Sequence, residues 1–248
     1  MNKYMAALHS THGIVLHQIK YLSSSIIVQI YTEKFGRLAF IIKGVRGKNA
    51  KIRANLFQPL FLLDMEIYFK DSRNLQMVKE IKNIAPFSSI PYDIYKNSMA
   101  IFLAEVLFKT IKEEEPNKNL FDFLFNSIKL FDTLENKFLN FHLIFLLNLS
   151  KYLGFYPNNN FSEPLKYFDL MNGEFVANNS THLYILNETL SFDFYKLLNI
   201  SVNEQEDFVI SNKTRNNLLA TIIQYYSLHI ASFKEVKSLE IFKQVFND

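Results

Sequence analysis

The residues with the clearest chemical potential are cations. Lys34, Arg37, Lys43, Arg46, Lys48, Lys51 and Arg53 fall within one stretch that contains no Asp or Glu. Uncompensated clustered charge is the electrostatic footprint of a phosphate binder. Arg37 and Arg46 have the planar fork that grips a phosphate through two N–H groups, whereas the lysines act as point charges. Gly44 and Gly47 bracket Arg46 and let backbone amides approach an anion. Tyr21, Tyr31 and Phe35 lie beside or within the same region and are candidate platforms for base stacking, which tolerates any sequence.

Catalytic constellations are missing. The chain has no cysteine, which removes disulfides, thiolate metal sites and cysteine nucleophiles. His9, His12 and His17 have no third ligand at recognisable spacing, so no metal site is expected. Glu113, Glu114 and Glu115 stand directly before Pro116 and read as a solvated helix end, because adjacent helical residues point in different directions. Neither a Gly-x-Ser-x-Gly elbow nor a glycine-rich nucleotide loop occurs, so catalytic residues and cofactors are expected to be absent. No apolar run reaches the length of a membrane span, and the first residues lack a secretory apolar core; a soluble cytoplasmic protein is expected.

The elements that must position the cations follow from periodicity. The net charge of +3 hides a division, since the chain to Lys82 carries +8 and the remainder −5. In the basic part apolar residues alternate with period two over Ile14 to Ile19, Ile26 to Tyr31, Arg37 to Lys43, Phe61 to Lys70 and Leu75 to Ile81. Five short strands with a long excursion after the third suit an OB-type or an SH3-like barrel. Past Pro91 the period becomes three to four, giving helices over about Ile101 to Lys109, Leu120 to Phe131, Leu134 to Leu153, Asp193 to Leu198, Lys213 to Ile230 and Ser238 to Phe246. Between them, residues 155–186 break the rhythm, with an Asn172-Gly173 hairpin signal. The expected class is α+β: a basic nucleic-acid-binding domain over 1–82 and a mainly helical domain over 83–248 with a small hairpin insertion.

This order of elements resembles the RecO family of bacterial recombination mediators. The resemblance rests on Gly13-Ile-Val-Leu16, Tyr31-Thr-Glu-Lys-Phe-Gly-Arg-Leu38, Lys43-Gly-Val-Arg46, Phe57-Gln-Pro-Leu60, Ala104-Glu-Val-Leu107, Glu113-Glu-Glu-Pro-Asn117, Leu120-Phe-Asp122, and Leu146-Leu-Asn-Leu149 leading to Leu153-Gly-Phe-Tyr-Pro157. It implies a five-stranded OB-type barrel followed by a helical domain, and a protein that binds single- and double-stranded DNA and anneals complementary strands. It also implies work with a RecR-like protein, and with single-stranded-DNA-binding protein through its acidic C-terminal tail, to load RecA. For that tail, a lysine rim around an apolar pocket is expected from Lys109, Lys112, Lys129, Lys137 or Lys151. Many relatives carry a four-cysteine zinc module where this chain has Asn158 to Ala177 without cysteine; there Phe161, Leu165, Tyr167, Phe168 and Phe175 are expected to stabilise the hairpin in place of metal. The other readings of the basic part are an OB protein acting on structured RNA, and a scaffold whose patch serves an acidic partner.

Overall fold

The computed structural model describes residues 6–45, 52–112, 114–177, 182–201 and 208–247. The chain divides into two compact units, one formed by Met1–Asp132 with Val236–Val245 and the other by Thr133–Glu235 with Phe246–Asp248.

The first unit is built on a closed five-stranded barrel of OB type, with β1 (Ala7–Tyr21), β2 (Ser25–Thr32), β3 (Gly36–Ile42), β4 (Leu62–Phe69) and β5 (Gln76–Asn83) in the spatial order β1-β2-β3-β5-β4. A 3-10 turn, Ala54–Phe57, stands between β3 and β4. The alternation seen in the sequence holds: Ile26, Val28 and Ile30 of β2 and Leu63, Met65 and Ile67 of β4 all point into the core with Phe40, Ile42 and Phe57. β1 begins seven residues before the expected Ile14, because its first half pairs with β4 from Ala7↔Phe69 while its second half pairs with β2 to Tyr21↔Ser25. At Gly13 both ladders meet, with Thr32 on one side and Leu63 on the other. A Cβ there would stand 2.6 Å from Ile30 Cγ2 and 2.9 Å from Met65 Sδ, so the strand crosses the core only as glycine.

Three helices complete this unit. α1 (Ile94–Thr110) starts where the Asp93 carboxylate accepts the amides of Tyr95 and Lys96. α2 (Lys118–Thr133) follows, its amide of Leu120 capped by Asn117 Oδ1 at 3.0 Å. At its far end Asp132 is buried and accepts the backbone N–H groups of Ser88, Ser89 and Ile90 and the Ser88 hydroxyl, all at 2.8–2.9 Å. One carboxylate thus ties the segment leaving the barrel to the end of α2, and the buried Lys96 reinforces the knot by donating to Ser89 Oγ and to the Asp132 carbonyl. The third helix, α6 (Ser238–Asn247), returns from much later in the chain; its first turn is capped by Glu105 of α1, which accepts from Ser238 N, Ser238 Oγ and Lys237 N, and Phe242 stacks on Phe102.

The second unit holds α3 (Phe141–Tyr152), β6 (Tyr167–Asp169), β7 (Glu174–Val176), α4 (Glu188–Leu198) and α5 (Asn212–His229). α3 begins at Phe141 rather than Leu134, because Lys137 takes a left-handed φ of 60° that no helix accommodates. The apolar character of this helix on all sides is explained by burial of every residue from Phe141 to Leu149 except Asn148. Tyr226 of α5 donates its hydroxyl to the Leu146 carbonyl at 2.6 Å, joining the two helices through the core.

Burial alone would raise the Asp132 carboxyl, yet the amides of Ile90, Ser88 and Ser89 outweigh that and hold it below its ordinary value. A depressed carboxylate contributes stability above its unfolded pKa and loses it as pH falls through the folded value. Replacing Asp132→Asn should lower the stability of the first unit by about 2–3 kcal/mol at pH 7, since charge-assisted acceptors are lost. Urea denaturation should show the gap to wild type narrowing from about pH 4 downward, where the unfolded carboxylate becomes protonated while the native one, held lower, still keeps its charge.

Candidate nucleic-acid interface

The basic stretch runs along β3 and past both of its ends, and the fold separates its members. Lys34 lies in the turn before β3 and Lys43 just after it, so the length of the strand, about 20 Å, stands between them. Both are exposed, as is Arg53 at the entry to the 3-10 turn. Arg46, Lys48 and Lys51 lie outside the described residues.

Arg37 is a correction. Its Nη1 donates to the carbonyls of Phe108 and Ile111, each at 2.9 Å, Nε donates to Gln29 Oε1 at 3.3 Å, and the guanidinium lies 4.3 Å from the Phe108 ring. Those carbonyls belong to the last turn and C-cap of α1, where backbone acceptors lack helical partners and the helix dipole is negative. Arg37 therefore clamps a helix end to the barrel and is not a free phosphate contact; burial lowers its pKa, with Glu114 opposing, and it stays charged.

Two of the three aromatic candidates are also committed. Tyr31 is 0 % exposed, its hydroxyl directed at the Asn117 carbonyl and its ring against Phe121, so it offers no face to a base. Phe35 stacks on Phe69 with centroids 4.2 Å apart and meets His9 edge-on, filling one end of the core. Tyr21 remains, 40 % exposed at the tip of β1.

What the fold does bring together is at that tip. Tyr21 pairs with Ser25, and Ile26 with Ile42, so Lys43 follows β3 on the far side of Ser25, about 10 Å or two strand spacings from Tyr21. The amide of Val45 donates to the Ser24 carbonyl at 3.0 Å, which ties the two loops together. Lys20, exposed beside Tyr21, joins them; composition gave no sign of it, because it stands alone in the sequence, and only its place at a strand end before a serine run hinted at exposure. This end of the barrel presents the exposed cations Lys20 and Lys43 and the open ring of Tyr21, a surface suited to a phosphodiester backbone; Arg53 instead follows Ile52, which borders a cleft with Asp64 and Glu66.

Of the five lysines any of which was expected to supply a rim, Lys109 lines an apolar groove. It is half-buried beside Glu105 at 3.5 Å, and the groove, of about 480 Å³, is walled by Leu16, Phe57, Pro59, Ile101, Ala104 and Phe108. The second lysine of that groove is Lys237, far away in sequence and therefore missed. His17 also lines it, packed 4.6 Å from Phe108, and burial lowers its pKa so that it is neutral at pH 7. Lys112 lines a different, polar cleft, and Lys129 is exposed near the Phe125 ring. Lys137 and Lys151 belong to the second unit, both exposed.

Comparison with known proteins now decides the family. Residues 5–87 match the description Recombination protein O N terminal, and residues 91–240 match Recombination protein O C terminal. The chain is 39 % identical over 241 residues to a DNA repair protein RecO of Bacteroides fragilis, covering 97 % of this chain and 100 % of that one. Proteins of the same name from Phocaeicola vulgatus and Flavobacterium psychrophilum are 37 % and 35 % identical, covering 97 % and 96 % of this chain and 100 % and 98 % of theirs. The chain belongs to the RecO family.

The hairpin region is where the resemblance implied a zinc module in many relatives, and the residues described there do not make up a metal-binding set. It has no thiolate, and among the described residues no group of three or more His, Asp or Glu side chains is placed to hold an ion. The buried Asp169 carboxylate takes the structural part: Oδ1 accepts the amides of Met171 and Asn172, and Oδ2 meets Asn172 Nδ2 at 2.7 Å and His182 Nε2 at 3.2 Å. Phe168 and Phe175 are fully buried and pack on each other, with Phe161 edge-on to Phe175. Of the other residues expected to support the hairpin, Leu165 and Tyr167 are only half-buried. Among the described residues no helix is long and apolar enough to cross a membrane.

Arg37→Ala should destabilise the first unit by about 1.5–3 kcal/mol, because two helix-end carbonyls lose a charged donor, and Arg37→Lys should not restore it, since one ammonium cannot span both acceptors and stack on Phe108. Hydrogen exchange of the α1 amides reads the loss. DNA affinity of the folded variant should stay near that of wild type.

Proposed function

We propose that this protein is a non-enzymatic DNA-binding mediator of recombinational repair, working in the bacterial cytoplasm at sites of damage. The observation that carries the reading is the exposed cationic end of the OB-type barrel, with Lys20, Tyr21 and Lys43 gathered at the tips of β1 and β3, in a chain that belongs to the RecO family. Lys34, Arg46, Lys48, Lys51 and Arg53 belong to the same proposal by their charge. Phosphate contacts of this kind hold single- and double-stranded DNA without reading bases, and Tyr21 adds a stacking face for an unpaired one.

Annealing follows from electrostatics. Lysines that neutralise one strand release its counterions and reduce the repulsion felt by a complementary strand, so pairing needs neither ATP nor a covalent step. In this reading a RecR-like partner and single-stranded-DNA-binding protein bring the chain to coated DNA, where RecA is loaded. The groove between β1 and α1 supports the tail contact: apolar walls take an aromatic terminus, and Lys109 and Lys237 offer partners for its carboxylate.

Two measurements test the proposal on the full chain. Reversing Lys20 and Lys43, or Arg46 and Lys48, should weaken single- and double-stranded DNA alike and slow annealing of complementary strands in a fluorescence assay. If four to six phosphates are engaged, log affinity should fall against log salt with a slope near −3 to −5; a flat salt dependence would count against the reading. A tail peptide of single-stranded-DNA-binding protein should bind with roughly micromolar affinity, weakening at least about tenfold on removal of its last residue or on Lys237→Glu. Equal binding of both peptides would remove the groove from the proposal.

A further inference from the structure

The barrel closes through its weakest ladder. β2 and β3 pair at seven positions, from Ile26↔Ile42 to Thr32↔Gly36, but β3 and β5 pair only at Phe40↔Gln76 and Ile41↔Met77. The first half of β3, Gly36 to Ala39, therefore has no strand on its β5 side. In an antiparallel ladder every second residue turns its N–H and C=O away from the partner. Gly36 is buried and its carbonyl accepts the Thr32 hydroxyl at 2.8 Å, so the backbone donors and acceptors on the open side belong to the residues that border the cleft, Arg37 to Ala39.

The chain is prevented from filling this gap itself. Gln76, 2 % exposed, accepts Lys70 N at 3.0 Å through Oε1 and donates through Nε2 to the carbonyls of Lys70 and Arg73 at 3.0 and 2.7 Å. Those three bonds lock the turn from β4 into β5, so β5 cannot start earlier and extend along β3. The result is a cleft of about 580 Å³, bordered by Arg37, Leu38 and Ala39 on one side and Arg73, Asn74 and Gln76 on the other. That volume lies within the range of sites that hold small ligands or a few residues of peptide.

We propose that this edge is a docking site for an extended, acidic segment of a partner protein, which adds to β3 as a short extra strand. Addition of a strand at an open edge derives its affinity from main-chain hydrogen bonds. The occupant is a polypeptide because only a polypeptide backbone supplies the alternating N–H and C=O groups that complete such a ladder. Its acidic character follows from the lining: Arg37, Arg73 and Lys112 against Asp71 and Glu114 leave the cleft net positive. Arg37 uses Nε and Nη1 on protein acceptors, leaving Nη2 without one among the described residues. A second copy of this chain is disfavoured, since its matching edge carries the same cations. The three residues of β3 that border the cleft accommodate a strand of about 10 Å.

The test uses the full chain and the probe acetyl-Glu-Val-Glu-Val-Glu-Val-amide, with two derivatives N-methylated at alternate amides, one on each edge of the extended peptide. At saturation the parent peptide should slow hydrogen exchange of the amides between Gly36 and Ala39 by at least about threefold. Methylation of one edge should abolish this protection and methylation of the other should leave it, because an added strand bonds through a single edge. Arg73→Glu, at an exposed side chain whose backbone alone serves the turn, should weaken the peptide about tenfold while leaving the far-ultraviolet spectrum unchanged. Equal binding of all three peptides, or no protection at β3, would overturn the proposal. Protection of the same amides by a short oligothymidylate instead of the peptide would overturn it in favour of a nucleic-acid groove, and dimerisation masking the edge would assign it to a second copy.

Discussion

Everything in the first unit depends on β1 serving two ladders at once. A single fifteen-residue strand pairs with β4 along its first half and β2 along its second, and at Gly13 it is bonded on both sides. The register between Val15 and His17 slips, and there the strand bends and hands over from one neighbour to the other. With that crossing in place the barrel has an inside, the tips of β1 and β3 come together, and β3 is left to reach β5 over only two residues. The cationic tip and the open cleft are thus two outcomes of one constraint on how a strand closes a five-stranded barrel.

Charge in the sequence and charge at a surface proved to be different quantities. Seven cations look equivalent when read along the chain, yet Arg37 is absorbed by the backbone acceptors at the end of α1, as a guanidinium near orphaned carbonyls should be. Lys20, isolated in sequence, and Lys237, remote from the basic stretch, become members of surface groups through strand pairing and through the return of α6. Period-two and period-three patterns report which face of an element is apolar, and they located all five strands and the helices in order. They carry no information on which end of an element meets which, and that decides the company each cation keeps.

The same limit explains the misplaced boundaries. The first half of β1 was illegible because His9, Thr11 and Gly13 do not alternate as core residues, and its strand character comes from β4 alongside. α3 starts late because a turn at Lys137 intervenes in an apolar run that periodicity cannot divide. The hairpin was legible from Asn172-Gly173, but the reason it persists without thiolates was not: Asp169 gathers two amides, an amide side chain and an imidazole around one buried carboxylate. Asp132 does the same for three amides of a loop more than forty residues earlier. In both places an acceptor-only group organises irregular backbone, which needs donors satisfied and has no ladder to satisfy them.

The return of α6 has a consequence for how the protein is made. The segment Val236–Val245 belongs to the unit that is otherwise finished at Asp132, and about a hundred residues are synthesised between the two. At cellular rates of about 5–20 residues per second, the ribosome spends some 5–20 s on that interval. During it the nascent barrel and its first two helices wait with the Glu105 carboxylate and the Phe102 face uncovered, a partly open body exposed to chaperones and proteases. The body of the second unit, Thr133–Glu235, is encoded in the interval and has time to fold before α6 exists. The first unit begins first and yet is closed only with the last turns of the chain.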